Sequence, residues 1–435
     1  KKTVIFIFEK IRTELFSAIL KQNYKTSEKY FTRSRKQEFP LILLFMLNFL
    51  KKSLSIEIEN FLEFLKFNVN QKFTKSAFVQ ARMKIKPEVF HQLSQIIIDE
   101  FYTDNQAAVK LWKGFRVLAV DGSRITLPIT KELKGIYGEA KNQTGTGVVQ
   151  ALCSVLYDIE NKYVLNGLLA PSYKGERELA LTHLKYCKSN DLLIYDRGYP
   201  SYDFINEHIK TGVDYLMRVK VAFSQVTLDF EASKKHSLIT KIYPSKKISI
   251  SDKQYKKDTP IQVRLLRIEL PKGETEILIT SLLDSQKYPN NLFKELYFKR
   301  WKVETFYDEL KNKLKVEHFS GYSNQSILQD FYAALFVSNV QTLIVSEIED
   351  EIVEKNQQKK YDYKINTNLS YGFLKNRILD VFFSSESMET AILELKNLYL
   401  KNLIPIRPNR SNERNREKYR NRYKPKITKN QRDTI

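Results

Sequence analysis

The sequence contains few of the residues that build zinc sites and disulfide frameworks. Only two cysteines, Cys153 and Cys187, and five histidines occur among its 435 residues, and no CxxC or Cys/His cluster is present. This scarcity argues against a zinc site, a histidine-based metal site and a disulfide framework. Two buried cysteines in a reducing compartment are the simpler interpretation.

The chain also lacks a hydrophobic run long enough to span a bilayer. Its longest apolar segment, LILLFMLNFL at 41–50, is short and contains Asn48, so we interpret it as a core helix after Pro40. The N-terminal stretch carries Glu9 among its apolar residues, which is not typical of a secretory signal. The sequence does not begin with methionine, so a partial start stays open. We expect a globular protein without a membrane partner.

Acidic residues are outnumbered by basic ones. The chain has 72 Lys and Arg against 50 Asp and Glu, a net charge of +22. This excess predicts a polyanionic partner, although charge does not separate DNA from RNA or an acidic lipid surface. Residues 407–435 hold eleven basic and three acidic residues. We expect this tail not to fold alone, and it either contacts phosphates or improves solubility.

Hydrophobic periodicity predicts helices over residues 1–110. Thr74 is placed to cap a helix at 74–85, which ends before Pro87. With the preceding helix it resembles a helix-turn-helix, although any small helical bundle offers such a pair. The second helix carries four polar side chains for DNA contact: Lys75, Gln80, Arg82 and Lys84.

From about residue 115 the hydrophobic period changes to two, which is typical of strands. Residues 115–128 are predicted to form a strand, a glycine-containing turn and a second strand, and two segments after them continue as an antiparallel meander. Residues 191–200 are predicted to form a buried strand that runs into a turn. Residues 201–212 are predicted to form a helix that ends at Gly212. Strands followed by strand–helix alternation favour a mixed sheet with flanking helices.

Three acids stand out by their context. Asp121 ends the apolar run RVLAV, Asp196 ends LLIY, and Glu304 lies in a basic, helical segment at 297–314. Singly, each aspartate is as readily a turn or cap residue. Together, the three offer the oxygen ligands that Mg²⁺ prefers. Two ions held by three acids can clamp the attacking and leaving oxygens of phosphodiester displacement.

Residues 297–314 are predicted to form one helix. Steps of three, four and seven place four side chains on one face of it: Tyr297, Arg300, Glu304 and Lys311. Asp308 and Glu309 compete with Glu304 for the role of third acid. A solvated helix with intrahelical ion pairs is the simpler alternative, but it does not explain the two upstream aspartates.

The motifs DGS at 121–123, DRGY at 196–199 and Y-x2-R-x3-E-x6-K at 297–311 resemble the signature regions of DDE transposases from bacterial insertion sequences. More narrowly, they resemble insertion-sequence family four. The resemblance has motif support over roughly 110–320. It implies an α/β fold with a ribonuclease H-like catalytic core, a mixed sheet with flanking helices.

The resemblance also implies roles for individual residues. Asp121, Asp196 and Glu304 would be catalytic ligands of two Mg²⁺ ions, for which Mn²⁺ would substitute. Five further residues are DNA-binding candidates: Tyr297, Arg300, Lys311, Arg197 and Trp301. For two of them another role stays open, because Arg197 could pair with a nearby acid and Trp301 could pack against its neighbours. Family members that cut through a DNA hairpin stack a tryptophan of the insertion on a flipped base. This chain has only Trp112 and Trp301, both outside the insertion, which leaves four other aromatic candidates: Phe223, Phe230, Tyr243 and Tyr255.

Six regions are expected on this basis. They are a helical DNA-binding region at 1–110, the first part of the core at 111–221, a β-rich insertion at 222–274, the second part of the core at 275–324, a helical region at 325–402, and a basic disordered tail at 403–435.

The implied activity is that of a cut-and-paste DNA transposase. It would cleave transposon ends and join the 3′-hydroxyls to target DNA, acting as a homodimer on double-stranded terminal inverted repeats. It would act in the bacterial cytoplasm, associated with the nucleoid. Two alternatives stay open, a metal-dependent nuclease without strand transfer and a DNA-binding repressor that has lost catalysis.

Overall fold

In a computed structural model of the protein, residues 4–104 and 324–401 form mainly helices, and the strands of the main sheet lie between them in sequence. The described residues are 4–32, 37–65, 72–104, 108–141, 147–244, 259–270, 274–375, 377–383, 385–407 and 434–435. Their contacts define two compact units, one from residues 107–308 and one from residues 1–106 together with 309–435. Most of the predicted basic tail, residues 408–433, lies outside the described residues.

A nine-stranded mixed sheet forms the centre of the 107–308 unit. Its strands are β1 (Arg116–Leu127), β2 (Glu139–Lys141), β3 (Gly147–Asp158), β4 (Val164–Pro171), β5 (Asp191–Tyr195), β6 (Asp214–Val219), β7 (Ser237–Ile242), β8 (Ile261–Glu269) and β9 (Thr275–Thr280). The helices of this unit are α7 (Lys131–Tyr137), α8 (Glu176–His183), α9 (Tyr202–Thr211), α10 (Gln225–Ala232), α11 (Asn291–Phe298) and most of α12 (Trp301–Asn312).

The sheet has the strand order of a ribonuclease H-like core. β4, β3 and β1 are neighbours in antiparallel pairs, and β5 and β6 continue the sheet parallel to β1. This arrangement confirms the predicted mixed sheet with flanking helices and the predicted meander. The turn predicted within 115–128 is wrong, because β1 runs without a break through Gly122 and pairs with β3 on both sides of it. β9, β8 and β7 then extend the sheet as antiparallel strands.

Burial and one buried ion pair hold β1 and β5 beside each other. Every residue of β5 is buried, and so are the first five residues of β1, as expected for strands covered on both faces. Two hydrogen bonds of 2.8 and 2.6 Å join the Arg116 guanidinium to the Asp191 carboxylate at the start of these strands. Such a buried bidentate pair fixes their register. The predicted helix end is also present, since Gly212 caps α9 with a φ of 68°.

The segment predicted as a β-rich insertion contains a helix as well as strands. Residues 222–244 include α10, whose N-terminus carries a capping box made by Ser224 and Thr227. Its strands β7 and β8 are part of the main sheet, because β8 pairs with β9. Residues 245–258 and 271–273 of this segment lie outside the described residues.

The prediction of one helix over 297–314 is wrong. α11 ends at Phe298 and α12 begins at Trp301. At the break the amide of Arg300 donates to the carbonyl of Tyr297, three residues earlier, at 3.0 Å. Glu160 on the β3–β4 turn holds both sides of the break, at 2.7 Å from Lys299 and 3.3 Å from Lys302. These tertiary ion pairs anchor the break to the β3–β4 turn.

The second unit is a helical bundle. Its helices are α1 (Val4–Leu15), α2 (Ala18–Tyr24), α3 (Phe39–Leu47), α4 (Leu54–Phe64), α5 (Lys75–Arg82), α6 (Glu88–Asp104), α13 (Asn324–Ser346), α14 (Glu349–Asn356), α15 (Thr367–Leu374), α16 (Arg377–Phe383) and α17 (Ser385–Lys401), with a small ladder of β10 (Tyr363–Ile365) and β11 (Leu403–Pro405). α13 is buried along most of its length and packs against α3, α6 and α17. The apolar run at 41–50 lies mainly in α3 and is buried, as predicted.

The prediction that Arg82 is available to DNA is wrong. Thr74 caps α5 by accepting from the amide of Ala77, as predicted, but the Arg82 side chain is only 1% exposed. Its guanidinium lies 2.8 Å from Asp330 and also donates to Ser320 and Gln329. A charged group in this position must be paired to be tolerated in the interior.

Among the described residues, no single helix is long and apolar enough to cross a membrane. One bent pair, Asn324–Ser346 with Glu349–Asn356, passes the test of length and composition only when the two are taken together.

Candidate active site

Asp121 and Asp196 lie two residues beyond the last paired residues of β1 and β5, which are adjacent parallel strands. β1 and β5 pair from Arg116 with Asp191 to Ala119 with Ile194. The same offset places Asp121 level with Asp196, the residue after the end of β5. Neighbouring strands are about 5 Å apart, so the register brings together two acids that are distant in sequence.

Arg300 lies between Glu304 and Asp121 and links the two acids. The Arg300 Nη2 lies 2.8 Å from Oε1 of Glu304, and its Nη1 lies 3.9 Å from Oδ2 of Asp121. Arg300 also interacts electrostatically with Asp196. Burial acts to lower the pKa of Arg300, but the nearby Tyr297 and the hydrogen-bonded Glu304 raise it overall. The guanidinium is therefore charged. It contacts Glu304 and approaches Asp121.

The carboxyl group of Asp121 is poorly compensated. Its pKa is raised to about 6, mainly by burial and in smaller part by the nearby charges of Glu304 and Glu176. The hydrogen bond from the Gly122 amide, 2.9 Å long, and the charge of Arg300 offset only part of this. A carboxyl group with a raised pKa in a cluster of acids is a feature of functional sites.

Glu176 is a fourth acid at this site that the sequence does not single out. It is the first residue of α8, where an acid is ordinarily explained by the helix dipole. A Cβ atom built on Gly122 would lie 2.9 Å from its Oε1, so the carboxylate occupies the space left by this glycine. The Arg177 side chain donates to the carbonyl of Gly198 at 2.9 Å and links α8 to the turn that follows Asp196.

Buried polar groups without partners line the same site. Within the described part of the chain, the hydroxyls of Tyr199 and Tyr297 and the Nε of Arg300 have no hydrogen-bond partner. Burial raises the pKa of Tyr297 to about 12, so its hydroxyl stays protonated as a donor. Burial also raises the pKa of Tyr199, whose phenol interacts with Asp121 and Asp196. Unsatisfied buried donors beside acids suit an anionic ligand such as a phosphate.

The remaining site candidates are distributed around α12. Lys311 is partly buried in the last turn, about two turns after Glu304. Asp308 is exposed, and Glu309 accepts a hydrogen bond of 2.6 Å from Tyr371, so neither is the acid paired with Arg300. Trp301 is 50% exposed and lies 5.2 Å from the Arg300 guanidinium.

Arg197 and the predicted base-stacking aromatics differ in exposure. Arg197 is exposed, and its amide donates to the Asp196 carboxylate at 2.5 Å. Phe230 is fully buried beneath Arg267, so it belongs to the core. Phe223 is partly buried, Tyr243 is 54% exposed, and Tyr255 lies outside the described residues.

The donor set fits a hard divalent cation, although the acids are not arranged around one point. Within the described ranges, no three Asp, Glu, His or Cys side chains converge as a ready-made metal-ligand set. Arg300 lies between Asp121 and Glu304. Oxygen ligands from Asp121, Asp196 and Glu304 nevertheless match the chemistry of Mg²⁺ and Mn²⁺.

Comparison with known proteins assigns the family. The family model for the transposase DDE domain matches residues 112–340, more than half of the chain. This chain belongs to the DDE transposase family. The match includes all three predicted acids, together with β1, β5 and the helix α12.

Two curated relatives of this chain come from Escherichia coli K12. The transposase InsG of insertion sequence IS4 is 23% identical over 279 residues, 61% of this chain and 60% of InsG. The putative transposase InsZ is 27% identical over 139 residues, 30% of this chain and 44% of InsZ. The chain therefore spans roughly half of the length of these relatives. They agree with the resemblance to insertion-sequence family four.

One match among the solved structures is the cryo-EM structure of a piggyBac transposase synaptic complex with hairpin DNA. It is 9% identical to this chain, with a TM-score of 0.41, and the match covers 92% of this chain and 81% of that one.

Proposed function

We propose that the protein is a cut-and-paste DNA transposase that cleaves transposon ends with divalent cations and joins the 3′-hydroxyl ends to target DNA. The observation that carries the proposal is the register of β1 and β5, which sets Asp121 level with Asp196 while Arg300 links Asp121 to Glu304. Membership of the DDE transposase family supports the same chemistry.

The three acids would hold two Mg²⁺ ions, with Mn²⁺ as a substitute. Bound there, such ions supply an activated water or 3′-hydroxyl and stabilise the charge on the leaving oxygen. The residues of this chain would supply position. Tyr297 and Arg300 would donate to phosphate oxygens next to the scissile bond, and Lys311 would add a point charge farther along α12. Arg197 and Trp301, both exposed, would contact the DNA at the edge of the site.

Double-stranded DNA is the proposed partner, as terminal inverted repeats and as target. The net charge of +22 favours a polyanion. The helical region at 1–110 would bind the repeats, and residues 403–435 would add phosphate contacts. Joining two ends at once calls for two active sites, so we propose a homodimer on DNA. The place of action would be the bacterial cytoplasm at the nucleoid.

Cleavage of the cognate ends by acid variants tests the proposal. The inverted repeats that flank the coding region would supply the substrate. Asp121→Asn, Asp196→Asn and Glu304→Ala are each expected to abolish cleavage in Mg²⁺ and Mn²⁺ while end binding is retained. Asp308→Asn, an exposed acid on the same helix, is the matched control and should cleave normally.

Three outcomes would change the proposal. Cleavage without strand-transfer products in a plasmid assay would favour a related nuclease. Cleavage by Glu304→Ala at the wild-type rate would remove this glutamate from the site. End binding by the wild-type protein without cleavage in either metal would favour a repressor that has lost catalysis.

A further inference from the structure

Arg300 fills the space between two carboxylates of the candidate site. Its guanidinium contacts Glu304 at 2.8 Å and approaches Asp121 to 3.9 Å, with only 7% of its side chain exposed. The break between α11 and α12 places this side chain here, since Arg300 is one of the two residues at the break. A cation in this position offsets the repulsion between two acids that would otherwise lie close together uncompensated.

We infer that Arg300 is an internal counter-ion that keeps Asp121 and Glu304 together before a divalent cation binds, and that the cation displaces it. The inference rests on the proposed function, because it requires the acids to be the cation site. It adds an exchange step in which the same carboxylate oxygens bind first a guanidinium and then a metal ion.

The charge balance favours this exchange. Arg300 interacts with Asp121, Asp196 and Glu304, and Asp121 also experiences the charge of Glu176. A single positive charge leaves the cluster strongly negative. A divalent cation therefore gains more from these acids than Arg300 does. Its preferred ligands are the oxygens that now face the guanidinium.

The ring of Trp301 is a neighbour toward which the displaced Arg300 side chain would turn. The Arg300 Cζ lies 5.2 Å from the ring of Trp301, which is half exposed, so the side chain can turn outward along this ring. Its Nε has no partner among the described residues and is available as a donor. Once released, the fork of donors can bind a phosphate through two hydrogen bonds.

This exchange couples metal binding to DNA binding. A phosphate that holds Arg300 removes the competitor of the cation, and a bound cation frees Arg300 for the phosphate. Thermodynamic linkage requires the two effects to be equal in size. The site would therefore bind its cation weakly when DNA is absent, because Arg300 still occupies the space between Asp121 and Glu304.

Mn²⁺ binding to the full-length protein, followed by the electron paramagnetic resonance of free Mn²⁺, tests the inference. Removal of the competing charge in Arg300→Gln is expected to tighten Mn²⁺ binding about tenfold. Without metal, the same variant should melt at a lower temperature than the wild type, because the acids repel each other. Saturating Mn²⁺ should remove most of this difference.

Two further variants make the result decisive. Arg300→Lys keeps the positive charge but loses the forked guanidinium, so its Mn²⁺ affinity should lie between those of wild type and Arg300→Gln. It also replaces Arg300→Gln as the test variant if Arg300→Gln does not fold. Unchanged or weaker Mn²⁺ binding in both variants overturns the inference and leaves the proposed function intact. Mn²⁺ binding that Asp121→Asn does not reduce overturns the proposed function, and this inference with it.

Discussion

The hydroxyl of Tyr307 donates a hydrogen bond to the backbone carbonyl of Asp121 at 2.6 Å. The carbonyl of Cys153 on β3 lies 3.2 Å from the same hydroxyl. Tyr307 is buried and follows Glu304 by three residues on α12. This bond therefore ties the helix that carries one predicted acid to the strand that carries another.

Replacement of Tyr307 by phenylalanine should loosen this link. Loss of a buried hydrogen bond that leaves backbone carbonyls unsatisfied is expected to lower the free energy of unfolding by about 1–2 kcal/mol. The rate of end cleavage should fall about tenfold, because Glu304 and Asp121 are held less closely in position. Denaturant unfolding and single-turnover cleavage measure the two effects. Tyr322→Phe, at a tyrosine that is 73% exposed, should change neither, and equal effects in both variants would contradict this account.

Metal binding should depend on pH through Asp121. Its pKa is raised to about 6 by burial and by the neighbouring acids, so protons compete with the cation near neutral pH. Mn²⁺ affinity is expected to be constant above about pH 7 and to fall about tenfold per pH unit below 6.

Glu176→Gln should shift this profile to lower pH, because it removes a negative charge that raises the pKa of Asp121. Glu178→Gln is the matched control on the same helix, since Glu178 is exposed and paired with Lys174. Mn²⁺ titrations between pH 5 and 8 provide the measurement. Identical shifts in the two variants would show that Glu176 does not act on Asp121.

Glu160 should contribute stability that depends on pH. Burial acts to raise its pKa, but the ion pairs with Lys299 and Lys302 outweigh burial and lower it from the ordinary value of 4.5. An acid whose pKa is lowered in the folded state stabilises the protein above its unfolded pKa, and this contribution is lost as pH falls through the folded value.

Glu160→Gln should therefore lower the free energy of unfolding at pH 7 by up to about 1 kcal/mol, and the difference from wild type should shrink below about pH 4.5. Thermal melts across this pH range measure it. Glu207→Gln, in an exposed pair with Lys210, is expected to change stability little at any pH. A constant difference for Glu160→Gln would mean that the charge of this residue is not what stabilises the break.

Arg82→Met should act on stability and not on DNA binding. The substitution leaves the Asp330 carboxylate, which is 9% exposed, without its cation, and such losses cost about 3 kcal/mol or more. Affinity for DNA, corrected for the folded fraction, is expected to be unchanged. Urea unfolding and equilibrium binding at several salt concentrations separate the two effects.

Lys75→Ala provides the contrast on the same helix. Lys75 is exposed, so if α5 contacts phosphates this variant should weaken binding and reduce the salt dependence of affinity by about one charge. Equal loss of affinity in Arg82→Met and Lys75→Ala would contradict the structural role of Arg82.

Much of the catalytic unit could be predicted from the sequence because its signals are local. The apolar runs before Asp121 and Asp196 define buried strands, and Gly212 ends a helix through a backbone conformation that glycine favours. The spacing of the tyrosine, arginine, glutamate and lysine motif identifies the helix that carries Glu304 among several acids. The fold class and the family followed from these patterns.

Other features depend on groups that are distant in sequence. Nothing near Arg300 marks the break in its helix, because the ion pairs that anchor it come from Glu160, about 140 residues earlier. Glu176 looks like an ordinary acid at a helix N-terminus until Gly122 is seen beside it. Arg82 looks like a DNA contact until Asp330 is found opposite.

The sequence by itself therefore predicted the buried strands, the helix end at Gly212 and three candidate acids, since hydrophobic periodicity and backbone preferences act between near neighbours. Only the tertiary structure decided which charges meet. The register of β1 against β5 sets Asp121 beside Asp196, and burial then forces Arg300 to pair with the acids around it. Pairing and desolvation depend on every group within a few ångströms, and that neighbourhood exists only after the chain has folded.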